Sequence, residues 1–181
     1  MQLVVKTLAR LTFHLLRVGL VPLETVNARA YMSVFGPILR YYGLVLNGRP
    51  RYISSTVRFD NLQLITLGER VVISKYVILL THDYSVTTGL FAIGAGPATD
   101  IAVRRPITIG QNVFIGMGAI VLPGTVIGDN VIIGAGSVVR GEIPSDSVVL
   151  GNPGRVISTV SSRAARWREL AASDYAVQDA R

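Results

Sequence analysis

The chain has 181 residues, no cysteine and a formal net charge of +7, with half of its residues hydrophobic and 16% charged. That length holds one domain with modest additions, and that composition supplies ample apolar material for a core. The absence of cysteine excludes disulfides, thiolate metal sites and a cysteine nucleophile, and it fits a reducing, cytoplasmic setting. The positive balance reads first as solubility with Arg-rich ends; the alternatives are anionic small molecules carrying phosphates or an acidic membrane surface. With no binding module and little interleaving of aromatic and basic residues, nucleic acid is not an expected partner.

Residues 1–20 place Val4, Leu8, Leu11, Leu15 and Val18 on one stripe at helical spacing, with Lys6, Arg10, His14 and Arg17 opposite. The charges recur too often for a transmembrane span, and no small-residue cleavage site follows. Two placements stay open: a peripheral helix in a membrane interface, or a helix packed on the solenoid or a neighbouring subunit. Residues 23–48 predict further helix and loop, broken at Pro22, Gly36-Pro37 and Gly43. Residues 1–50 thus form an N-terminal helical segment, and 51–64 suggest a first coil with poor period.

From Ile65 the chain repeats every six residues: ITLGER, VVISKY, VILLTH, and then, from Ile107 to Glu142, ITIGQN, VFIGMG, AIVLPG, TVIGDN, VIIGAG, SVVRGE. The third place is always aliphatic, and the first is mostly small or β-branched. A fixed short period marks a solenoid, here an all-β coil with three flat faces. Third-place residues such as Ile109, Ile115 and Val121 point inward, and Gly, Asn and Asp serve the corners. Phe114, Ile120, Val126, Ile132 and Val138 occupy the second place and face outward, an apolar surface that self-association would cover. The repeat stops after Glu142, and residues 159–181 predict a C-terminal helix, capped by Ser161 or Ser162, that covers the open end.

One interruption stands out. Leu79 and Ile109 lie 30 positions apart where the period needs six, so 24 residues, about 83–106, form a loop. A long loop inside a compact repeat is usually functional. His82 stands at its foot; the only other histidine is His14. An imidazole at such a place suits a general base. Asp83 points away from its neighbour along an extended chain. A backbone carbonyl or another carboxylate is therefore the expected orienter of His82. Asp60, Asn61 and the loop are candidates to face the acceptor.

The nine hexads, the stretch ITLGERVVISKYVILLTHDYS and the ending VIIGAGSVVRGEIPSDSVVLGNPGRVI resemble the hexapeptide-repeat acyltransferases, nearest the maltose, galactoside and polysaccharide O-acetyltransferase branch. The resemblance covers about residues 62–158. It implies a left-handed parallel β-helix over 51–158, a homotrimer, and acetyl-CoA as co-substrate between subunits, with no metal. It places the catalytic general base on His82 and coenzyme A contacts on Met117, Ala135, Arg140 and Arg155. Arg140 stands where Thr is usual, and a further basic position of the family falls on Ser158. The N-terminal part does not resemble that of the maltose and galactoside enzymes. The implied activity is O-acetylation of a sugar hydroxyl on a cell-surface polysaccharide or its precursor. The alternatives are N-acetylation of a nucleotide-linked amino sugar and a non-catalytic trimeric scaffold. A three-histidine zinc site cannot be built from the single histidine in the repeat. No G-x-S-x-G elbow, P-loop or dinucleotide fingerprint is present.

Overall fold

The computed structural model describes residues 2–96, 99–173 and 176, of which residues 2–7 and 10 by their backbone alone. Helices α1 (Gln2–Gly19), α2 (Val21–Val26) and α3 (Ala28–Tyr41) lead into a coil of short strands. The first turn of the coil is β1 (Val45–Leu46), β2 (Tyr52–Ile53) and β3 (Arg58–Phe59); the second is β4 (Ile65–Leu67), β5 (Val72–Ile73) and β6 (Ile78–Leu79). The interruption holds β7 (His82–Asp83), α4 (Ser85–Ala92) and β8 (Val103–Arg104). The coil then resumes with β9 (Ile107–Ile109), β10 (Phe114–Ile115) and β11 (Ile120–Val121), followed by β12 (Val126–Ile127), β13 (Ile132–Ile133) and β14 (Val138–Val139). It ends with β15 (Glu142–Ile143), β16 (Ser147–Leu150), β17 (Arg155–Thr159) and helix α5 (Val160–Ala171).

Successive strands visit three parallel sheets in rotation, which become the three faces of the coil. Among the described residues the first face orders as β1-β4-β9-β12-β15, the second as β16-β13-β10-β5-β2 with β17 at its end, and the third as β14-β11-β6-β3. Register keeps like with like: Ile115 pairs with Ile73 and Ile133, and Val121 with Leu79 and Val139. Third-place aliphatics are 0–1% exposed in the regular coils, and first-place Ile107, Val113, Ala119 and Val131 are buried with them. Each such side chain contributes roughly 1.5–3 kcal/mol.

Two kinds of corner glycine emerge. Gly118 has φ +69 and takes a turn that most residues resist. Gly116 follows its aliphatic for a different reason: a Cβ there would stand 2.5 Å from the Ala135 nitrogen of the next coil. Arg70 and Tyr76 also adopt positive φ, so the corner rule extends past Gly, Asn and Asp.

Several expectations are corrected. Helix α3 runs through Gly36-Pro37, because Gly36 has no Cβ to collide with the proline ring and because Phe35 and Leu39 are fully buried on either side. Pro22 sits in the first turn of α2, where its missing N–H costs little. The repeat continues for two further strands past β14: Ile143 pairs in register with Ile127, and Val149 with Ile133, after a corner shortened by two residues. Helix α5 has no buried residue and is capped by Thr159, whose hydroxyl accepts from Ser162 N. That end is instead covered by the 151–154 turn; a Cβ on Gly154 would meet Val139 and Val149 at 2.9 and 3.1 Å. The other end is covered by α3, where Tyr31 is buried and its hydroxyl donates to Ile53 O at 3.0 Å. On the outer face Phe114 and Val126 are exposed, while Ile120, Ile132 and Val138 are half-buried.

Candidate active site

The chain leaves the coil at Leu80 and returns to the same corner. β7 and β8 pair antiparallel, setting His82 opposite Arg104, and Arg105 N donates to Thr81 O at 2.9 Å. Between them the segment expected to be a patternless loop carries α4, started by Asp83 Oδ1 accepting from Ser85 N at 2.8 Å. Thr87 Oγ1 fastens the far side, donating to Ile101 O at 2.9 Å and accepting from Ile101 N at 2.8 Å. The His82 side chain is 39% exposed and its ring meets Tyr84 edge-on at 5.5 Å.

The first coil supplies the partner. Asp60 N donates to Leu79 O at 3.1 Å, which sets Asp60 beside the turn that carries Thr81 and His82. Asp60 Oδ2 accepts from Thr81 N at 2.9 Å, from Thr81 Oγ1 at 2.7 Å and from His82 Nδ1. Burial opposes ionisation of Asp60, but the Thr81 bonds and then His82 outweigh it, so its pKa lies below the ordinary carboxylate value. An ionised carboxylate on Nδ1 fixes the proton there and leaves Nε2 as the acceptor. Asp83 does not orient the imidazole. It is fully exposed, and Ser85 chiefly, then Arg140 and Arg105, hold its carboxyl below the usual range.

His82 opens onto a cleft of about 310 Å³. Its floor is Leu80, Leu122 and Pro123, and Val86 of α4 and Val103 of β8 wall it. Asp83, Arg105 and Arg140 complete the polar lining. The structure therefore brings two of the sequence-derived site residues together, His82 and Arg140. Met117 and Ala135 lie stacked at the opposite edge of the third face, where Gly136 N donates to Met117 O at 2.8 Å. The turn at Ala135–Gly136 and the strand β14 separate Ala135 from Arg140. Arg155 is exposed in β17, its guanidinium reaching only Gly154 O at 3.4 Å. Sequence reasoning missed the pairing of Asp60 with His82, although it asked for a second carboxylate. It also missed Arg105, two residues before the register resumes at Ile107.

Residues 106–141 match the bacterial transferase hexapeptide model of six repeats. Two curated relatives extend the likeness across both sides of the interruption. The galactoside O-acetyltransferase of Escherichia coli (strain K12) is 35% identical over 140 residues, which cover 77% of this chain and 65% of that protein. The chain belongs to the hexapeptide-repeat transferase family. A protein of the same organism, provisionally named a lipopolysaccharide biosynthesis O-acetyl transferase, is 28% identical over 120 residues, or 65% of this chain and 61% of its own length. The chain thus spans under two-thirds of these hexapeptide-repeat relatives. Among solved structures, a maltose O-acetyltransferase from Clostridium difficile 630 is 28% identical with a TM-score of 0.53, covering 82% of this chain and 87% of that one.

Proposed function

We propose that the protein is an acetyl-CoA-dependent O-acetyltransferase acting on a sugar hydroxyl, on a cell-surface polysaccharide or its precursor. The observation that carries this reading is the Asp60–His82 pair at the mouth of a cleft, where the coil opens at one corner. Nε2 of His82 takes the proton of the acceptor hydroxyl, and the proton leaves with the thiol product. Asp60 holds the ring in the required tautomer and stabilises its charged form. Acetyl-CoA supplies an acyl group already activated as a thioester.

The residues present fit that co-substrate. Ala135 is small and exposed, no heavy atom stands within 4 Å of a Cβ on Gly118 or Gly136, and Arg155 presents an exposed cation for phosphates. Met117, Ala135, Arg140 and Arg155 are our assignments for its contacts. Family membership further supports a left-handed coil and a homotrimer, with the outward Phe114 and Val126 as contacts between copies. The domain division at about residues 50 and 158 follows the same reading.

We place the protein in the cytoplasm, docked peripherally on the membrane through α1. No described helix is long and apolar enough to cross a bilayer. Leu8, Leu11, Leu15 and Val18 are each more than half exposed, while Phe13 and Arg17, on the other side of α1, touch the rest of the chain. The side chains of Val4, Lys6 and Arg10 lie outside the described residues.

Thiol release from acetyl-CoA against nucleotide sugars, lipid-linked glycans and free oligosaccharides tests the activity. Release that requires both a sugar acceptor and His82 is expected. Release with none of them, from folded protein, overturns the reading.

A further inference from the structure

Arg105 and Arg140 share the cleft with His82; Arg140 is assigned above to acetyl-CoA, and the proposed reaction gives Arg105 no role. Arg105 is placed by backbone geometry. Its N–H is held on Thr81 O, and its stem passes over the corner at Gly124, where a Cβ would meet its Cδ at 3.0 Å. Alternation along the returning strand sends Arg104 one way and Arg105 the other, into the cleft. Arg140 arrives from the third face. Leu80 N bonds to Val121 O and Leu122 N to Val139 O, so Leu80, Leu122 and Arg140 form one column spanning about 10 Å at the usual strand spacing.

Among the described residues, neither guanidinium makes a side-chain hydrogen bond or ion pair. The carboxylates nearby are already engaged: Asp83 by Ser85 N, and Asp60 by Thr81 and His82. The lining of the cleft thus sets two cations against one carboxylate, Asp83, whose charge both arginines feel. The acyl-bearing arm of acetyl-CoA is uncharged and gives no reason for two cations here, and the basic residue assigned to its phosphates, Arg155, does not line the cleft.

We propose that Arg105, in the added field of Arg140, forms an anion subsite that selects an acidic acceptor, a sugar bearing a carboxylate or a phosphate close to the hydroxyl presented to His82. Guanidinium forks match both groups, and charge at the acceptor end gives specificity that a Leu and Pro floor cannot. The inference rests on the acetyl-transfer reading for the role of His82, but the binding of an acid to this cleft can be measured without any turnover.

The test is equilibrium titration of the full chain with glucuronic acid, glucose 6-phosphate and glucose, at low and moderate salt, for wild type, Arg105→Gln and Arg105→Lys. An acid is expected to bind at least about tenfold more tightly than glucose, the fold-change of one charge-assisted contact. Arg105→Gln should collapse that ratio toward one at unchanged melting temperature, and Arg105→Lys should restore part of it. A stronger response to glucuronic acid identifies a carboxylate site, and a stronger response to glucose 6-phosphate a phosphate site. Equal binding of all three, or a ratio indifferent to Arg105→Gln, overturns the proposal. If the acid preference holds while no acceptor elicits thiol release, the anion subsite stands and the transferase reading falls. If thiol release proceeds equally with neutral and acidic sugars, the reverse is true.

Discussion

The corner between the third and first faces is built in two ways in consecutive turns, and the contrast shows how a structural repeat acquires chemistry. At Leu122–Gly124 it is closed: Gly124 turns at φ +80, and Thr125 Oγ1 donates to Leu122 O at 2.6 Å. At Leu80 it is open. The pairing of Leu79 with Val121 puts Thr81 in the place of Pro123 and His82 in the place of Gly124. The histidine thus occupies the register position of a turn glycine, and 24 residues are lifted out so that its ring can face a cleft. The closed corner forms the floor of that cleft, through Leu122 and Pro123. A repeat offers identical corners; one insertion makes one of them a site, and the next turn its floor.

This comparison can be broken at four points. His82→Ala should reduce turnover by about 10²- to 10⁴-fold, the usual share of a general base, with little change in melting temperature. A comparable loss of both would show the open corner to be structural. Asp60→Asn should lower kcat about ten- to a hundredfold, equivalent to one charge-assisted hydrogen bond, with KM for acetyl-CoA nearly unchanged. A shift confined to KM would remove Asp60 from its role as orienter.

The closed corners should respond in the opposite sense. Gly110→Ala puts a Cβ 2.8 Å from the Gly128 carbonyl carbon, so it should cost roughly 1–3 kcal/mol of stability while sparing the activity of the folded fraction. Thermal unfolding alongside specific activity separates the two.

The smallest effect lies at Glu24, where burial is outweighed by hydrogen bonds from Ser55 and Tyr52, so its pKa sits below 4.5. A depressed carboxylate contributes stability above its unfolded pKa and loses it as pH falls through the folded value. Glu24→Gln should therefore cost on the order of 0.5 kcal/mol near neutrality, after solvent screening, and nothing at pH well below the carboxylate range. A deficit that persists in acid would mean packing, not charge, is responsible.

What the sequence made legible follows the period. Ile109, Ile115, Val121, Ile127, Ile133 and Val139 announce their inward places because regular coils step by six, and His82 is found by counting from them. Asp60 is not, because the first coil does not step by six: Leu46, Ile53, Phe59 and Leu67 face inward in turn at spacings of seven, six and eight. The continuation at Ile143 was hidden by a deletion of two at Arg140–Gly141. The capping role read onto residues 159–181 is not filled by α5, because a Gly-Pro turn covers the last aliphatics more closely than that polar helix does. Arg105 was invisible for another reason: what it does depends on where the chain re-enters the coil, and no local pattern records that.

The division of the dyad between coils has one further consequence. His82 belongs to the second turn and Asp60 to the first, and the first is the irregular turn held down by α3. An end turn has a neighbour on one side only, so it is where a stacked array frays. Turnover is then a gauge of whether that terminal turn is wound. Treatments that loosen α3 should abolish the proposed activity while most of the coil, and most of its spectroscopic signal, is still intact.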